Sequence, residues 1–398
     1  MFNQSLEAIF LQHDQLLQGY QQYWQFSPFQ QHALPWDNKP LLANLQALIP
    51  QEIEALEQQP EEAVLHFSEH FPELSTCLAE WQLAPNHAAK MKTPFWLTNG
   101  IKGRKAEQIQ AFSEQLQGEN LAVLEWCAGK GHLGRLISFH HQLPVTSLEW
   151  QATLCDSGEQ QAKQLNLPQQ FHHCDVLEPQ AQRYLQSQQH AVALHACGEL
   201  HLQLLRLAAQ HKPQKLSICP CCYHLINDTH YAPLSDIAQQ TKLRLSKTDL
   251  RLAVAQSVTS GQRVQTLRQR ELHWRLSYQC LREELTQHSH YQALPSIAKQ
   301  WFSKDAKFKD FVEWACQQHK ITSPTELDEQ RYLEKGQQRH LLVRRLELVQ
   351  QLFRPIMERW LLLDRCLFLQ QQGYQVGLVE LFPFKTSPRN VLIQAQLG

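Results

Sequence analysis

The sequence predicts an α/β protein in which a mainly parallel sheet is preceded and interrupted by helices and completed by a C-terminal hairpin. Short apolar runs of β type alternate with helical stretches from about residue 121. The regions before and after this alternation space their apolar residues as helices do. Two further β-type runs end the chain. Alternation of this kind is typical of βαβ units.

Two regions are predicted to be helical. Within residues 1–94, the segments LEAIFLQHDQLLQGYQQYW and EEAVLHFSEHF repeat apolar residues at spacings of three and four. Residues 265–372 carry one long apolar stripe, which we interpret as core packing. The members of the stripe are Leu342, Leu346, Val349, Phe353, Ile356 and Trp360.

The sheet is predicted to come from residues 95–264 and 373–398. The first of these regions contains the runs LAVLEW, PVTSLEW, QFHHCDV, HAVALHAC and KLSIC, whose apolar character fits parallel strands buried on both faces. The second contains YQVGLVELF and VLIQAQL on either side of the break FKTSPRN. We expect this pair to form an antiparallel hairpin that completes the sheet.

Composition limits the classes of protein to which the chain can belong. The 398 residues carry a formal net charge of -1, so a nucleic-acid contact would need a local basic patch. No apolar run approaches the roughly 20 residues of a membrane helix, and the start of the chain lacks the pattern of a signal peptide. Eleven cysteines suit a reducing compartment. We therefore expect a cytoplasmic protein with no membrane partner.

A glycine-rich loop follows the first predicted strand. Gly129 and Gly131 lie in a tight turn, and a helix begins near Leu133. Glycine lets backbone N–H groups approach a ligand closely, and the start of a helix favours a carboxylate or a phosphate. Glu149 closes the next strand, where an acid can hold ribose hydroxyls. This arrangement predicts a nucleoside-containing cofactor.

Two cofactors fit this loop, NAD and S-adenosylmethionine (SAM). The glycine spacing matches the dinucleotide fingerprint G-x-G-x-x-G, and Glu149 follows the first glycine by 20 positions. Glu125, at the end of the first strand, would oppose a pyrophosphate but could accept from the amino group of a methionine moiety. Asp175 ends the third strand, where it could meet an adenine amino group. These acids and the late hairpin favour SAM, and an NAD-type oxidoreductase stays the alternative.

Five motifs carry a resemblance to a known family. The chain resembles the methyltransferase family that includes the ribosomal-RNA adenine dimethylase domain-containing protein, its methyltransferase-like relatives and the glutathione S-transferase C-terminal domain-containing protein. It is more distantly similar to the tRNA 2′-O-methyltransferases of the acceptor stem. The motifs, which together span about residues 100–398, are the Gly-Lys-Gly-His-Leu loop at 129–133, His195-Ala-Cys-Gly-Glu-Leu200, Cys221-Cys-Tyr-His224, Asp364-Arg365 and Ser387-Pro-Arg-Asn390.

The resemblance implies a class I methyltransferase (Rossmann-like) fold with a seven-strand sheet and a helical insertion before the last hairpin. It also implies an enzyme that is a SAM-dependent methyltransferase. Cys127 stands where such enzymes usually have glycine, which places a side chain at the methionine end of the cofactor. The expected cofactor-binding residues are Glu125, Cys127, Ala128, Gly129, Gly131, Glu149 and Asp175.

Four residues after the fourth and fifth strands are the catalytic candidates. The carboxyl ends of parallel strands bind ligands in open α/β sheets, so these side chains are expected beside the cofactor. His195 and His224 are candidates for a general base, with Glu199 orienting the imidazole. Tyr223 could stack on a base or donate to the acceptor. The alternative for each histidine is a structural side chain whose hydrogen bonds are satisfied.

The cysteines of the same stretch raise the question of a metal. Cys219, Cys221, Cys222 and His224, together with His195 and Cys197, offer soft ligands. Their spacing, however, matches no known zinc module, and buried cysteine often serves as a small apolar residue. The sequence alone therefore leads us to expect no metal.

A local basic stretch, residues 90–105, is the candidate contact for a substrate. It holds five cations together with Phe95 and Trp96, and no acidic residue occurs from 90 to 106. Cations mixed with aromatic rings suit single-stranded or looped RNA, so the predicted acceptor is RNA, either tRNA or rRNA. A solvated linker, a protein or small-molecule acceptor, and a non-catalytic SAM-binding module are the alternatives. The five cations are Lys90, Lys92, Lys102, Arg104 and Lys105.

Overall fold

The computed structural model describes residues 4–81, 83–86, 88–255 and 262–398. The helices in this part of the chain are α1 Leu6–Gly19, α2 Gln21–Trp24, α3 Lys39–Ala47, α4 Pro50–Gln58, α5 Pro60–His66, α6 Pro72–Glu80, α7 Phe95–Thr98, α8 Gly103–Glu114, α9 His132–His141, α10 Ala152–Gln164, α11 Glu199–His211, α12 Asp236–Gln239, α13 Lys247–Leu252, α14 Gln262–Thr286, α15 Phe308–His319, α16 Glu329–Leu352 and α17 Arg354–Gln371. The strands are β1 Ala84–Pro85, β2 Ala122–Trp126, β3 Val145–Glu149, β4 Gln169–His173, β5 Gln189–Cys197, β6 Lys215–Cys221, β7 Tyr374–Glu380 and β8 Val391–Leu397.

All strands join one sheet in the order β1-β7-β8-β6-β5-β2-β3-β4. Strand β8 runs antiparallel to its neighbours β6 and β7, and every other pair is parallel. Each of the seven predicted strands is present, and the short β1 was not predicted. The fold class, a class I methyltransferase sheet completed by a C-terminal hairpin, is confirmed. A second βαβαβ half, as in dinucleotide enzymes, would not place an antiparallel strand here.

The order of the strands locates the ligand crevice. Strand β2 lies between β3 and β5, so the connections that leave β2 and β5 run in opposite directions across the sheet. Open α/β sheets bind ligands at such a switch point, outside the carboxyl ends of the strands. The glycine loop leaves β2 at this place. Helices α8 and α9 pack on the sheet through Ile109, Phe112 and Leu136, all at most 2% exposed.

The chain divides into two compact units. One comprises residues 1–19, 76–256 and 354–398 and contains the sheet, whereas the other comprises residues 20–75 and 257–353 and is helical. This division differs from the predicted boundaries at 94, 264 and 372. Apolar periodicity shows that a helix buries one face but does not identify the partner against which it packs.

The predicted apolar stripe belongs to two helices rather than to one. Helix α16 ends at Leu352, and α17 begins at Arg354. Pro355 follows at once and has no N–H to donate to the preceding turn, so the first helix cannot continue through it. Phe353 and Trp360 are both fully buried, as the stripe predicted. None of the helices in the described residues is long and apolar enough to cross a membrane.

Candidate active site

The loop after β2 turns through left-handed backbone. Cys127, Gly129 and Gly131 have φ angles of 59°, 60° and 62°. The Gly131 N–H donates to the Ala128 carbonyl over 2.9 Å, which closes the turn directly before α9. Glycine adopts this conformation at no steric cost, whereas cysteine is strained in it. The loop is therefore a tight connection that holds its backbone close to the carboxyl edge of the sheet.

The two loop glycines serve different purposes. A Cβ at Gly131 would lie 2.2 Å from Cζ of Phe171 and 2.5 Å from Nε2 of Gln169, so this glycine is required for packing behind the loop. A Cβ at Gly129 would meet no heavy atom of the described residues within 4 Å. The space next to Gly129 is thus open on the side where a ligand can approach the backbone.

Glu149 fastens this loop to the end of β3. The side chain is only 5% exposed. Its Oε2 accepts from the Gly129 N–H over 2.9 Å, and its Oε1 accepts from the Gln151 N–H over 2.9 Å. Each carboxylate oxygen can accept two hydrogen bonds, so one acceptor position on each oxygen is left for a ligand. That Glu149 holds ribose hydroxyls stays a prediction.

Glu125 lies beneath the first turn of α9. Its Oε2 accepts from the Ser147 hydroxyl over 2.6 Å, and a Cβ at Gly134 would come within 2.4 Å of the same oxygen. Burial raises the pKa of this carboxyl to about 7, and the hydrogen bond from Ser147 opposes the shift. These contacts tie β2 to β3 and to α9. That Glu125 also accepts from the SAM amino group stays a prediction.

Two exposed side chains follow the ends of β3 and β4. Asp175 lies two positions beyond β4, is exposed, and accepts from the Leu177 N–H through Oδ1 over 3.0 Å. Trp150, directly after Glu149, is 63% exposed. The sequence analysis missed Trp150, although a tryptophan that directly follows the acid of the second strand was visible there. The two residues place a carboxylate and a flat apolar ring at the same edge of the sheet.

Cys127 brings an uncharged thiol to the loop. Burial and the neighbouring Glu149 carboxylate raise the pKa of this half-buried thiol well above its usual value, and Cys197 and Asp175 act in the same direction. The Cys127 side chain therefore interacts both with the carboxylates of Glu149 and Asp175 and with a cysteine of β5. That Cys127 lies at the methionine end of the cofactor stays a prediction.

His195 lies in a β-bulge between Leu194 and Cys197, with φ of 64°. Its Nε2 is 2.7 Å from Oε1 of Gln108, a residue of α8 that is 87 positions away in sequence. An amide oxygen can only accept, so Nε2 carries the proton and Nδ1 is left as the acceptor. Burial lowers the pKa of His195, which favours the neutral imidazole. No pattern in the sequence pointed to Gln108.

Glu199 does not orient a histidine as expected. Its carboxylate pairs with Arg206, and its second oxygen accepts from the Asn227 N–H over 3.3 Å. Both partners come from chain that follows Glu199, so the carboxylate is directed toward its own helix and the loop after β6. The side chain that holds His195 is Gln108 instead, and the orienting role predicted for Glu199 is wrong.

Tyr223 is a core residue rather than a substrate contact. It is 1% exposed, its ring meets His201 edge-on with the ring centroids 6.3 Å apart, and the Arg365 guanidinium lies 5.1 Å from its ring centroid. Burial raises the pKa of Tyr223 well above its usual value. A ring enclosed in this way cannot stack on a base, so the predicted contact with the acceptor is wrong.

The motif Asp364-Arg365 belongs to the interior next to Tyr223. Asp364 accepts from the Tyr231 hydroxyl over 2.6 Å and from the Ser235 hydroxyl over 2.7 Å. Arg365 donates through Nε to Nε2 of His201 over 2.9 Å. Asp364 and Arg365 are both fully buried. Their role in this structure is to fix the segment after β6.

The motif Ser387-Pro-Arg-Asn390 closes the turn of the C-terminal hairpin. The Asn390 amide donates to Oε1 of Glu380 over 3.0 Å and to the Phe382 carbonyl over 2.9 Å. Thr386, in the same turn, donates to Oε2 of Glu107 over 3.1 Å. Because Glu107 lies on α8, the hairpin turn and the helix that carries Gln108 meet at one edge of the site.

Three of the cysteines converge at the ends of β5 and β6. The Sγ atoms of Cys197, Cys221 and Cys222 all lie within 4.8 Å of one another. Cys219 is separate from this group, because its thiol donates to the Arg389 carbonyl over 3.5 Å. His224 is half-buried, and its Nδ1 has no hydrogen-bond partner among the described residues. The sequence spacing did not predict that these three sulfur atoms would meet.

The cations and the two aromatic rings of the basic stretch are exposed, whereas Leu97 between them is buried in the core. The five cations between residues 90 and 105 all have exposed side chains. Phe95 is 81% exposed and Trp96 is 52% exposed. Lys105, in the first turn of α8, interacts electrostatically with Glu125 and His195. The stretch therefore runs from two exposed aromatic rings to a cation that interacts with Glu125 and His195.

Comparison with known proteins places this site in a methyltransferase domain. A family model described as a methyltransferase domain matches residues 103–229, about a third of the chain, from the start of α8 past the cysteine motif. The predicted methyltransferase domain is confirmed for this part of the chain. That the acid-and-glycine arrangement around Gly129 and Glu149 binds S-adenosylmethionine stays a prediction.

Solved structures that resemble parts of the chain share low identity with it. A tRNA (uracil-54, C5)-methyltransferase of Pyrococcus abyssi in complex with S-adenosyl-L-homocysteine is 15% identical, with a TM-score of 0.25 over 29% of this chain and 28% of that chain. Geranyl diphosphate C-methyltransferase from Streptomyces coelicolor A3(2) is 15% identical, with a TM-score of 0.22 over 34% and 56% of the two chains. Coclaurine N-methyltransferase is 14% identical, with a TM-score of 0.25 over 45% and 61%. The chain thus covers less than two thirds of each protein.

Proposed function

We propose that this protein transfers a methyl group from SAM to RNA. Methyl transfer follows from the domain at residues 103–229. The observation that carries the RNA acceptor is the exposed basic and aromatic segment that leads into α8, whose Gln108 contacts His195. The resemblance to the family of the ribosomal-RNA adenine dimethylase domain-containing protein, and the more distant one to tRNA 2′-O-methyltransferases, support the same acceptor class. Location in the cytoplasm stays a prediction.

The residues of β2–β4 would hold the cofactor. The unused acceptor positions of Glu149 suit the two ribose hydroxyls, and the exposed ring of Trp150 offers a surface for adenine, with Asp175 near its amino group. Gly129 leaves room for the ligand beside the backbone, and Lys105 brings a positive charge toward the carboxylate of the methionine moiety. When bound, SAM supplies an electrophilic methyl group.

The histidines after β5 and β6 would act on the acceptor. A hydroxyl or amino acceptor loses one proton as it gains the methyl group, so a neutral base at the site assists the reaction. Burial lowers the pKa of His195, and the hydrogen bond between its Nε2 and Gln108 leaves Nδ1 as an acceptor. His224 is the second candidate. Gln108 acts as a positioning residue for His195.

The basic stretch would bind the RNA. Phe95 and Trp96 offer rings on which unpaired bases can stack, a contact worth about 1–3 kcal/mol per base. The neighbouring lysines would contact phosphates, which makes binding sensitive to salt. A small-molecule acceptor would not need this exposed surface. This difference separates the RNA hypothesis from the alternatives of a small-molecule or protein acceptor.

The test is RNA binding at two salt concentrations. We expect Lys90→Ala/Lys92→Ala/Arg104→Ala to weaken binding to a cellular tRNA pool and to lower the slope of log affinity against log salt by about 2, since three cations each account for about 0.7 with single strands. SAM affinity, measured by calorimetry, should be unchanged.

The matched control is Lys163→Ala/Lys242→Ala/Arg244→Ala, which removes three exposed cations elsewhere in the same unit. This control should bind RNA as the wild type does. If the wild type fails to bind RNA at low salt, or if both triple variants lose affinity equally, an RNA acceptor is excluded and a small-molecule or protein acceptor becomes the better hypothesis.

A further inference from the structure

The cysteine cluster at the ends of β5 and β6 has features that packing does not explain. The Cys197 and Cys221 sulfur atoms are 3.3 Å apart, and Cys222 completes a group within 4.8 Å. Cys221 is buried, while Cys197 and Cys222 are half-buried. Thiols that serve as small apolar residues have no reason to direct three sulfur atoms at one point.

We propose that Cys197, Cys221 and Cys222 bind a zinc ion, with His224 as the fourth ligand. Zinc prefers tetrahedral sites of sulfur and nitrogen, with Zn–S distances of about 2.3 Å. Ligand sulfur atoms of such a site are about 3.8 Å apart, as tetrahedral geometry requires at that bond length. The separations from 3.3 Å to at most 4.8 Å lie on either side of this value.

His224 is assigned as the fourth ligand because of an unpartnered nitrogen atom. Its Nδ1 is buried and has no hydrogen-bond partner among the residues that the structure describes. A buried polar atom without a partner destabilises the folded state. The imidazole lies outside the group of three sulfur atoms but interacts electrostatically with Cys222. Coordination of a metal would satisfy this nitrogen atom.

The charges around the cluster suit a bound zinc thiolate. Binding of Zn²⁺ by three thiols releases three protons and gives a complex with one net negative charge. The Arg389 guanidinium interacts electrostatically with Cys222, as does His195. The metal would join the ends of β5 and β6 and fix the two segments that carry His195 and His224. This inference does not depend on the proposed acceptor, since the cluster is described without reference to SAM or RNA.

Metal content of the full chain tests the site. Protein purified without oxygen and reconstituted with zinc should retain about one zinc ion per chain after dialysis. Cys197→Ser and Cys222→Ser should each lower zinc affinity by more than about 100-fold, which is the upper end of the loss caused by removing an outer-shell group. The matched control is Cys280→Ser, a half-buried thiol in the other unit, which should retain zinc.

Cobalt substitution tests the site in the wild-type protein, and that result does not depend on whether any variant folds. In the wild type, Co²⁺ should give the intense visible and near-ultraviolet absorption of a tetrahedral thiolate site, and His224→Ala should change the visible bands while three sulfur ligands remain. Wild-type protein that is folded, reduced and free of stoichiometric zinc, with no thiolate absorption on cobalt titration, overturns the proposal. Unaltered cobalt bands in His224→Ala overturn the assignment of the fourth ligand.

Discussion

The carboxyl edge of the sheet has an acidic half and a cysteine–histidine half. At the ends of β2–β4, the sequence analysis named residues whose contacts fit a bound nucleoside, such as Gly129 and Glu149. At the ends of β5 and β6 it named four catalytic candidates, and the roles given there to Glu199 and Tyr223 are wrong. In the acidic half, backbone conformation and local spacing position the side chains. In the cysteine–histidine half, their positions depend on partners that are distant in sequence.

The largest expected effect is on the free energy of unfolding, which should fall when a buried ring is removed but not when an exposed ring is removed. Tyr223→Ala should lower the free energy of unfolding by about 3–5 kcal/mol, because a large ring in the core leaves a cavity. Trp150→Ala should change it by about 0.5 kcal/mol or less, and should weaken SAM binding instead. Thermal and urea unfolding together with SAM calorimetry would measure both quantities.

Tyr223→Phe is the control for this comparison, because it keeps the ring and removes only the hydroxyl. It should retain both stability and methyl transfer. A Tyr223→Phe protein that unfolds like the wild type but has lost methyl transfer would restore Tyr223 as a catalytic residue.

A smaller effect concerns the pH dependence of stability in the acidic half. The folded-state pKa of Glu125 is raised from 4.5 to about 7, so the folded protein binds this proton more tightly than the unfolded chain does. Stability from this group is therefore complete below about pH 4.5 and is lost as the pH rises to about 7. The loss is of order 3 kcal/mol, since one pKa unit corresponds to about 1.4 kcal/mol.

Glu125→Gln should remove this part of the pH dependence while it keeps an oxygen that can accept from Ser147. Urea unfolding between pH 4.5 and pH 8 would measure it, with Glu178→Gln as the control because Glu178 is exposed. An unchanged slope in Glu125→Gln would show that the carboxyl is charged in the folded protein throughout this range.

Much of the fold could be predicted because its signals are local. Strand β8 coincides with the run VLIQAQL, and β2 lies within LAVLEW. The division into units could not be predicted, because it depends on which helices pack together across long stretches of chain. The end of α16 before Pro355 could have been recognised, since proline interrupts the backbone hydrogen bonds of a helix.

The site was predictable to the extent that backbone conformation determines it. The loop glycines and Glu149 follow from a spacing that is visible in the sequence. Gln108 could not be found, because its contact with His195 joins positions 87 apart. The convergence of Cys197 with Cys221 and Cys222 depends on the pairing of β5 with β6, which aligns Cys197 with Cys221. Contacts of this kind can be predicted only when the register between the paired strands is known.

The central claim is that the open space beside Gly129 receives SAM. Its most direct test is calorimetric titration of the chain with S-adenosyl-L-homocysteine and, separately, with NAD.

Gly129→Asn adds a side chain to this space and keeps the backbone conformation, because asparagine tolerates left-handed φ. Gly118→Asn is the matched control, since Gly118 has φ of +77° and a Cβ there would also meet no heavy atom of the described residues within 4 Å. We predict binding of S-adenosyl-L-homocysteine and not NAD, at least about a tenfold loss (~1.4 kcal/mol) in Gly129→Asn, and unchanged affinity in Gly118→Asn. Binding of NAD instead, or wild-type affinity in Gly129→Asn, would contradict the claim.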